Sequence, residues 1–487
     1  MNQLPGAHDI TATNALAERA RAERAQLAYP DRVWTNPGLS ASGEAIDDVV
    51  IVGAGQSGLG IYEGLRRDGV ARIRLVDAAP PGREGVWETF ARMSTLRTPK
   101  ILNGLDFGQP SLSIRSWYVA RHGQTAWDEL HQIGRSDWAD YLAWYRETLE
   151  IPVENGVTVT DVRSNGTDGV VVEAQTPDGP RSFAARTVVL ATGYDGAGSW
   201  SAPAIVQDAV EPALWSHSNG DIDFAALAGL RVGVIGHGAS AFDNAASALA
   251  AGAASADLLF RRAALPRVNP LRHVETAALM GHYPALSDET RFAIARFIKR
   301  VDQPPAESGY RAANAMPGFA MHPSSPLVSV EQVGQTVHVT TPQRTFVFDH
   351  LICATGLRVE LENRAELQTL APLVSRWSQR RPDLAGGSGE NGEAGQTDAT
   401  DHALGQYPYL GPSYEFTPVD DAHDWVSRVF AFSGLGFISQ GPHSTSISGH
   451  KHAIPRVVRG ITQRLLLDEQ PRILDDLAAF DTAELYL

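Results

Sequence analysis

Twice in this chain an apolar strand-like run stops at a pair of closely spaced glycines, and this repetition limits the fold more than any other feature. In the first case Val49-Val50-Ile51-Val52 meets Gly53-Ala54-Gly55-Gln56-Ser57-Gly58. A helical pattern follows through Ile61, Leu65 and Arg66 to Gly69, and a second run, Ile73-Arg74-Leu75-Val76, ends on Asp77. Strand, glycine turn, helix, strand and acid within about 30 residues form the context that a dinucleotide fingerprint requires. Gly53 is expected to make the tight turn, Gly55 to let the backbone approach a pyrophosphate, and Gly58 to let the helix pack on the strand. The helix start, with Gln56 and Ser57, offers unpaired N–H groups and a positive dipole end to that pyrophosphate. Asp77 is placed to accept hydrogen bonds from a ribose diol.

In the second case Arg231-Val232-Gly233-Val234-Ile235 meets Gly236-His237-Gly238-Ala239-Ser240-Ala241, with alanine in the third small position. The next strand, Asp257-Leu258-Leu259-Phe260, ends in Arg261-Arg262 rather than an acid. Surface charge is the bland reading of two arginines. Their place in the motif favours accommodation of a 2′-phosphate, hence NADPH over NADH. The two turns therefore ask for two unlike dinucleotides, FAD at the first and NADPH at the second. Ala191-Thr192-Gly193 and Ala354-Thr355-Gly356 each close a buried strand after a fingerprint, which suggests two nucleotide domains with similar ends. Another strand meets glycine between Val429 and Gly436, then leads through His443, Ser444, Ser446 and Ser448 to a final helix. Gly193, Gly356 and Gly436 join the cofactor candidates. The expected fold class is α/β, with two Rossmann-like domains, the second inserted in the first. The expected parts are a helical arm (1–45), an FAD domain (46–215), an NADPH domain with a helical insert (216–348), and the rest of the FAD domain (349–487).

Composition narrows the function. The 487 residues carry a formal net charge of −15, which argues against nucleic acid or anionic membrane as the main partner. No apolar run is long enough to span a bilayer, and residues 1–10 lack the order of a signal peptide, so a cytoplasmic protein is expected. The Ala-, Glu- and Arg-rich residues 11–28 read as a helix that packs as an arm or at a contact in a homo-oligomer. The single cysteine, Cys353, rules out a disulfide framework, a cysteine metal site and a dithiol redox pair within one chain; no metal is expected. Electrons from the flavin must then pass to oxygen, a quinone or a protein partner. The aromatic stripe over 124–149 reads as core, broken near Gly134, and the Gly/Ser-rich stretch 385–400 reads as a mobile surface loop.

Between the two fingerprints lies a loop ending in Gly85-Val86-Trp87, then Arg92-Met93-Ser94-Thr95-Leu96-Arg97-Thr98-Pro99-Lys100. Three cations downstream of a nucleotide-binding unit read either as a solvated loop or as a cofactor-lining loop that presents positive charge to an anion.

Together these motifs resemble the class B flavin-dependent monooxygenases over about 46–460. The matches are the Gly53-Gly55-Gly58 motif, the Trp87 segment, the Gly236-Gly238 motif with Ala239 and Ser240, and the two Ala-Thr-Gly stretches. Thr95-Leu96-Arg97-Thr98-Pro99 is similar to the Thr-Leu-Arg-x-Pro run of amino-acid N-hydroxylases, which lies beside the flavin. Glu84 stands where a glycine is usual. In Trp215-Ser216-His217-Ser218 only the histidine end of the family's second fingerprint is recognisable, and the Baeyer–Villiger version is absent. The resemblance implies that NADPH reduces FAD, that molecular oxygen forms a C4a-(hydro)peroxyflavin, and that NADP⁺ shields it during oxygen transfer to a small-molecule substrate. It places Trp87, Arg92 and Thr98 at the cofactors, Arg97 as the catalytic candidate near the flavin, and Lys100 at an anionic substrate group. The substrate expected first is a nucleophilic nitrogen on a small amine or amino acid. A ketone, sulfur or heterocycle stays open, as does a flavoprotein reductase serving a quinone or protein partner.

Overall fold

The computed structural model describes residues 10–485 apart from 37, 40–44, 103, 167–168, 201 and 382–393. Val49 to Ile51 are fully buried, as expected of a run covered on both faces of a parallel sheet. They belong to the strand Ala45–Val52, which pairs in parallel with Ile73–Asp77 on one side and Gly179–Leu190 on the other. Gly179–Leu190 is long enough to join the parallel and antiparallel parts of one sheet. Its end joins the parallel core and takes Val429–Phe430 alongside, while its start continues into the antiparallel strands Val170–Thr176 and Thr158–Ser164.

The second sheet is parallel throughout. Its order is Phe319–His322, Ser255–Leu259, Arg231–Ile235, His350–Cys353 and Trp215–His217. This corrects the expected boundary at 349. The strand His350–Cys353 pairs with Arg231–Ile235, so it completes the second sheet before the chain returns to the first. A three-stranded antiparallel sheet over 329–348 packs on this domain, and Val337 and Val339 are fully buried there.

The helix Ile10–Gln26 packs on its own chain as an arm: Leu16 and Ala20 are buried, and Arg21 donates to the carbonyl of Thr148. The aromatic stripe is core, with Trp138, Tyr141 and Tyr145 buried on the helix Arg135–Thr148 that starts after Gly134. Within the presumed loop 385–400, residues from Ala394 on belong to the helix Ala394–Gly405 instead; 385–393 lie outside the described residues. No helix among the described residues is long and apolar enough to cross a membrane.

Candidate functional site

Both glycine turns stand at the carboxyl ends of their sheets, where open α/β folds bind ligands. They are built alike. Gly53 has φ +102° and donates to the carbonyl of Val76; Gly236 has φ +138° and donates to that of Leu259. Beneath each turn runs an Ala-Thr-Gly stretch. Ala191 donates to Val52, and Ala354 to Ile235, both at 2.8 Å. A Cβ on Gly53 would stand 2.6 Å from the carbonyl oxygen of Ala191, and one on Gly236 2.4 Å from that of Ala354. The repeated stretch is thus the floor that forces glycine in each turn.

The helices Gln56–Arg67 and Ala239–Ala250 start from Gly55 and Gly238, and neither start has a side-chain cap. Their first N–H groups stay available, which fits pyrophosphate binding at both turns. A Cβ on Gly55 would stand 3.5 Å from the Gly85 Cα, and open space lies over Gly238. Trp87 meets Trp138 edge-on at 6.4 Å, and the indole N–H of Trp138 donates to Gln56. Ser57 is buried against His450, with Oγ and Nε2 3.0 Å apart; burial lowers the His450 pKa to about 3, so the ring is neutral.

The two ribose-end groups differ. Asp77 accepts N–H groups from Ala54 (2.7 Å) and Ala79 (2.7 Å) and so ties down the turn it follows. Burial raises its pKa, and those two donors pull it back. Each carboxylate oxygen keeps a lone pair for a ribose hydroxyl. Arg261 is exposed, whereas Arg262 donates to the carbonyl of Arg300.

Gly193 and Gly356 have positive φ and open surroundings, at +68° and +79°. The Gly434 N–H donates to the Gly193 carbonyl, which draws the turn Gly434–Phe437, including Gly436, up to the end of the first sheet. Ser240 holds the Asn244 side chain through its carbonyl.

The cation run is placed differently from the expectation of charge free for an anion. Arg92 donates to the carbonyls of Phe90, Ser218 and Gly220 and lies over Phe224. Arg97 donates to Gln303 Oε1 at 3.0 Å and to the Pro304 carbonyl, while its own carbonyl accepts from Arg272. Thr95 reaches Ser308. Lys100 donates to the carbonyl of Trp127 at 2.6 Å. Apart from the Lys100 contact and that of Arg92 with Phe90, these contacts bridge the two domains, so the segment is a joint between them. Thr98 lies in this joint, half-buried.

Sequence reading missed the partners of the joint. Arg272, Gln303 and Pro304 sit on the helical insert, 175 to 207 residues from Arg97. Asp302 precedes Gln303 in a left-handed conformation (φ +65°) and faces His237 of the second turn at 3.1 Å. Asp243, in the helix after that turn, has its carboxyl pushed up to about 6 by burial, against the pull of Arg97. Nothing in local periodicity marks any of these.

With this geometry in view, a family model described as FAD-NAD(P)-binding matches residues 50–195. An FAD-dependent urate hydroxylase of Xanthomonas campestris pv. campestris is 40% identical over 462 residues, 94% of each chain. Among solved structures, an ornithine hydroxylase from Pseudomonas aeruginosa is 16% identical and covers 86% of this chain and 100% of that chain, with a TM-score of 0.65. An ornithine N-hydroxylase from Kutzneria sp. 744 is 18% identical and covers 86% and 99%, with a TM-score of 0.64. At these identities the solved structures establish the fold.

Proposed function

This chain belongs to the class B flavin-dependent monooxygenases, FAD- and NADPH-dependent oxidoreductases that use molecular oxygen, and from that premise we propose that it hydroxylates an anionic nitrogen heterocycle of the urate kind. The observation that carries this reading is the 40% identity, over 94% of both chains, to the urate hydroxylase. The amine hydroxylases named above share 16–18%. The cation run supports the same choice. Arg92, Arg97 and Lys100 all donate to protein oxygens, which is not the posture of groups held ready for the carboxylate of an amino acid. A second reading, a nucleophilic nitrogen on a small amine, is favoured by the Thr95-to-Pro99 run.

When bound and reduced by NADPH, FAD would supply the chemistry that activates molecular oxygen. The chain's own residues supply placement. The first helix start would hold one pyrophosphate, and Asp77, which holds the turn in shape, would accept from a ribose hydroxyl. Arg97 serves as a positioning residue: its guanidinium holds the 95–99 segment to the insert, closing the joint against water near the flavin.

Substrate-stimulated NADPH oxidation tests the reading, with urate compared against ornithine, lysine and cadaverine and with ¹⁸O₂ incorporation into product. Stimulation by urate with labelled ring product is expected. Stimulation by an amine alone, with an N-hydroxylated product, overturns the heterocycle reading in favour of the second.

A further inference from the structure

Lys299 stands near the end of the helix Asp288–Val301, in a place that neither glycine turn nor the cation run accounts for. Its Nζ lies 5.0 Å over the ring of Phe437, the last residue of the turn drawn up to Gly193. The ammonium also reaches the hydroxyl of Tyr407, a buried residue whose ring lies 5.9 Å from that of Phe437. Tyr194 follows Gly193 directly, contributes to the same electrostatic neighbourhood and is 50% exposed.

Lys299 is exposed to solvent, with Phe437, Tyr407 and Asp302 around its ammonium. Burial pulls its pKa down, but Tyr407, Tyr194 and Asp302 together push it up, and the net direction is upward, so it stays charged. The nearby carboxylate is already engaged: Asp302 faces His237 and accepts the Gln303 N–H. Tyr194 and Phe437 follow the carboxyl ends of first-sheet strands, and His237 follows a second-sheet strand. Lys299 is therefore a cation with donors to spare where the binding edges of the two sheets face each other.

We propose that this place between the two sheet edges is the substrate's anion site: Lys299 receives the negative charge of a planar heterocyclic anion, and the exposed ring of Tyr194 offers it a face to stack on. The inference rests on the heterocycle reading above and adds the residues that would select for charge and flatness. A flat anion suits the place because one side is an ammonium and the walls are aromatic, so a flexible aliphatic amine would bring a second cation to Lys299.

The test is titration of urate into oxidised holoenzyme, followed by perturbation of the flavin spectrum, for wild type, Lys299→Met, Lys299→Arg and Tyr194→Leu. Lys299→Met is expected to weaken urate about tenfold or more, Lys299→Arg by only a few-fold, and Tyr194→Leu by about fivefold. FAD content and NADP⁺ affinity, measured in parallel, are expected to hold. Unchanged urate affinity in Lys299→Met, with wild type still hydroxylating urate, overturns this inference alone. A fall in NADP⁺ affinity in place of urate affinity assigns the ammonium to the dinucleotide and overturns it too. Wild-type holoenzyme that neither binds nor oxidises urate removes the heterocycle reading and this inference with it.

Discussion

The two glycine turns share a plan and differ in how much of the protein each consumes. The first is built inward: Gly58 packs so closely that a Cβ there would stand 1.9 Å from the Gly53 carbonyl oxygen, and Asp77 accepts two N–H groups of its own turn. The second is built outward: Ala241 is tolerated at the equivalent place, space is open over Gly238, and Arg261 is exposed. A seat whose acid is part of the fold suits a cofactor that stays. A seat whose Arg261 faces water suits one that comes and goes with each turnover, because exposed charge is screened and exchangeable.

The largest expected break comes from Gly58→Ala. Its methyl has no room, so the flavin per polypeptide should fall about tenfold or more, with Tm lowered. The matched change in the other turn, Ala241→Gly, is expected to cost only about 1 kcal/mol of stability and to leave flavin content alone. Equal loss of flavin in both variants would erase the contrast between the seats.

Next in size is the arginine pair. Arg261→Ala is expected to raise KM for NADPH about tenfold while leaving NADH nearly unaffected, since a guanidinium on a phosphate contributes about 1.5–3 kcal/mol. Arg262→Ala should do less, because part of that guanidinium is occupied by the Arg300 carbonyl. Raising the salt concentration should weaken NADPH binding in the wild type and leave FAD retention as it was.

The joint between the seats is tested by Arg97→Lys. A lysine keeps the charge but cannot span Gln303 and the Pro304 carbonyl together. The share of NADPH oxidation that ends in hydrogen peroxide is expected to rise about threefold, with FAD content retained. Unaltered coupling would remove Arg97 from any role in closing the joint.

Asp243, in the helix after the second turn, links that seat to pH. Its carboxyl is pushed up to about 6 in the fold, from 3.8 otherwise. A group whose pKa is raised by folding stabilises the fold below its ordinary range, and that contribution is lost as pH rises through about 6. Asp243→Asn should therefore raise Tm at pH 7 to 8, by about 1–3 kcal/mol of stability, and the gain should fade toward pH 4. A gain that grows on acidification would contradict the assigned burial.

Much of this was legible in residue order. The strand–turn–helix–strand grammar, the acid and the arginine pair, and the lone Cys353, whose buried thiol is pushed up to about 12, all declare themselves within short windows. The Ala-Thr-Gly repeat was visible as a repeat, but its purpose was not: only pairing of Ala191 with Val52 and Ala354 with Ile235 shows that each floors a turn. The boundary at 349 failed for a related reason, since a parallel strand's sheet is set by a partner far off in sequence.

The sequence by itself determined two dinucleotide seats, their unlike charges and the absence of a dithiol route, because these rest on local backbone conformation and on residue types that carry the same chemistry wherever they fold. The tertiary structure alone decided what the cations at 92–100 do. A guanidinium in a list of residues is free to meet any anion; folded against an insert some 200 residues away, Arg97 meets carbonyls instead, and Lys299, unmarked in any motif, is left exposed beside Phe437. Charge is a property of the side chain, but its availability is a property of what the rest of the chain brings within 3 Å.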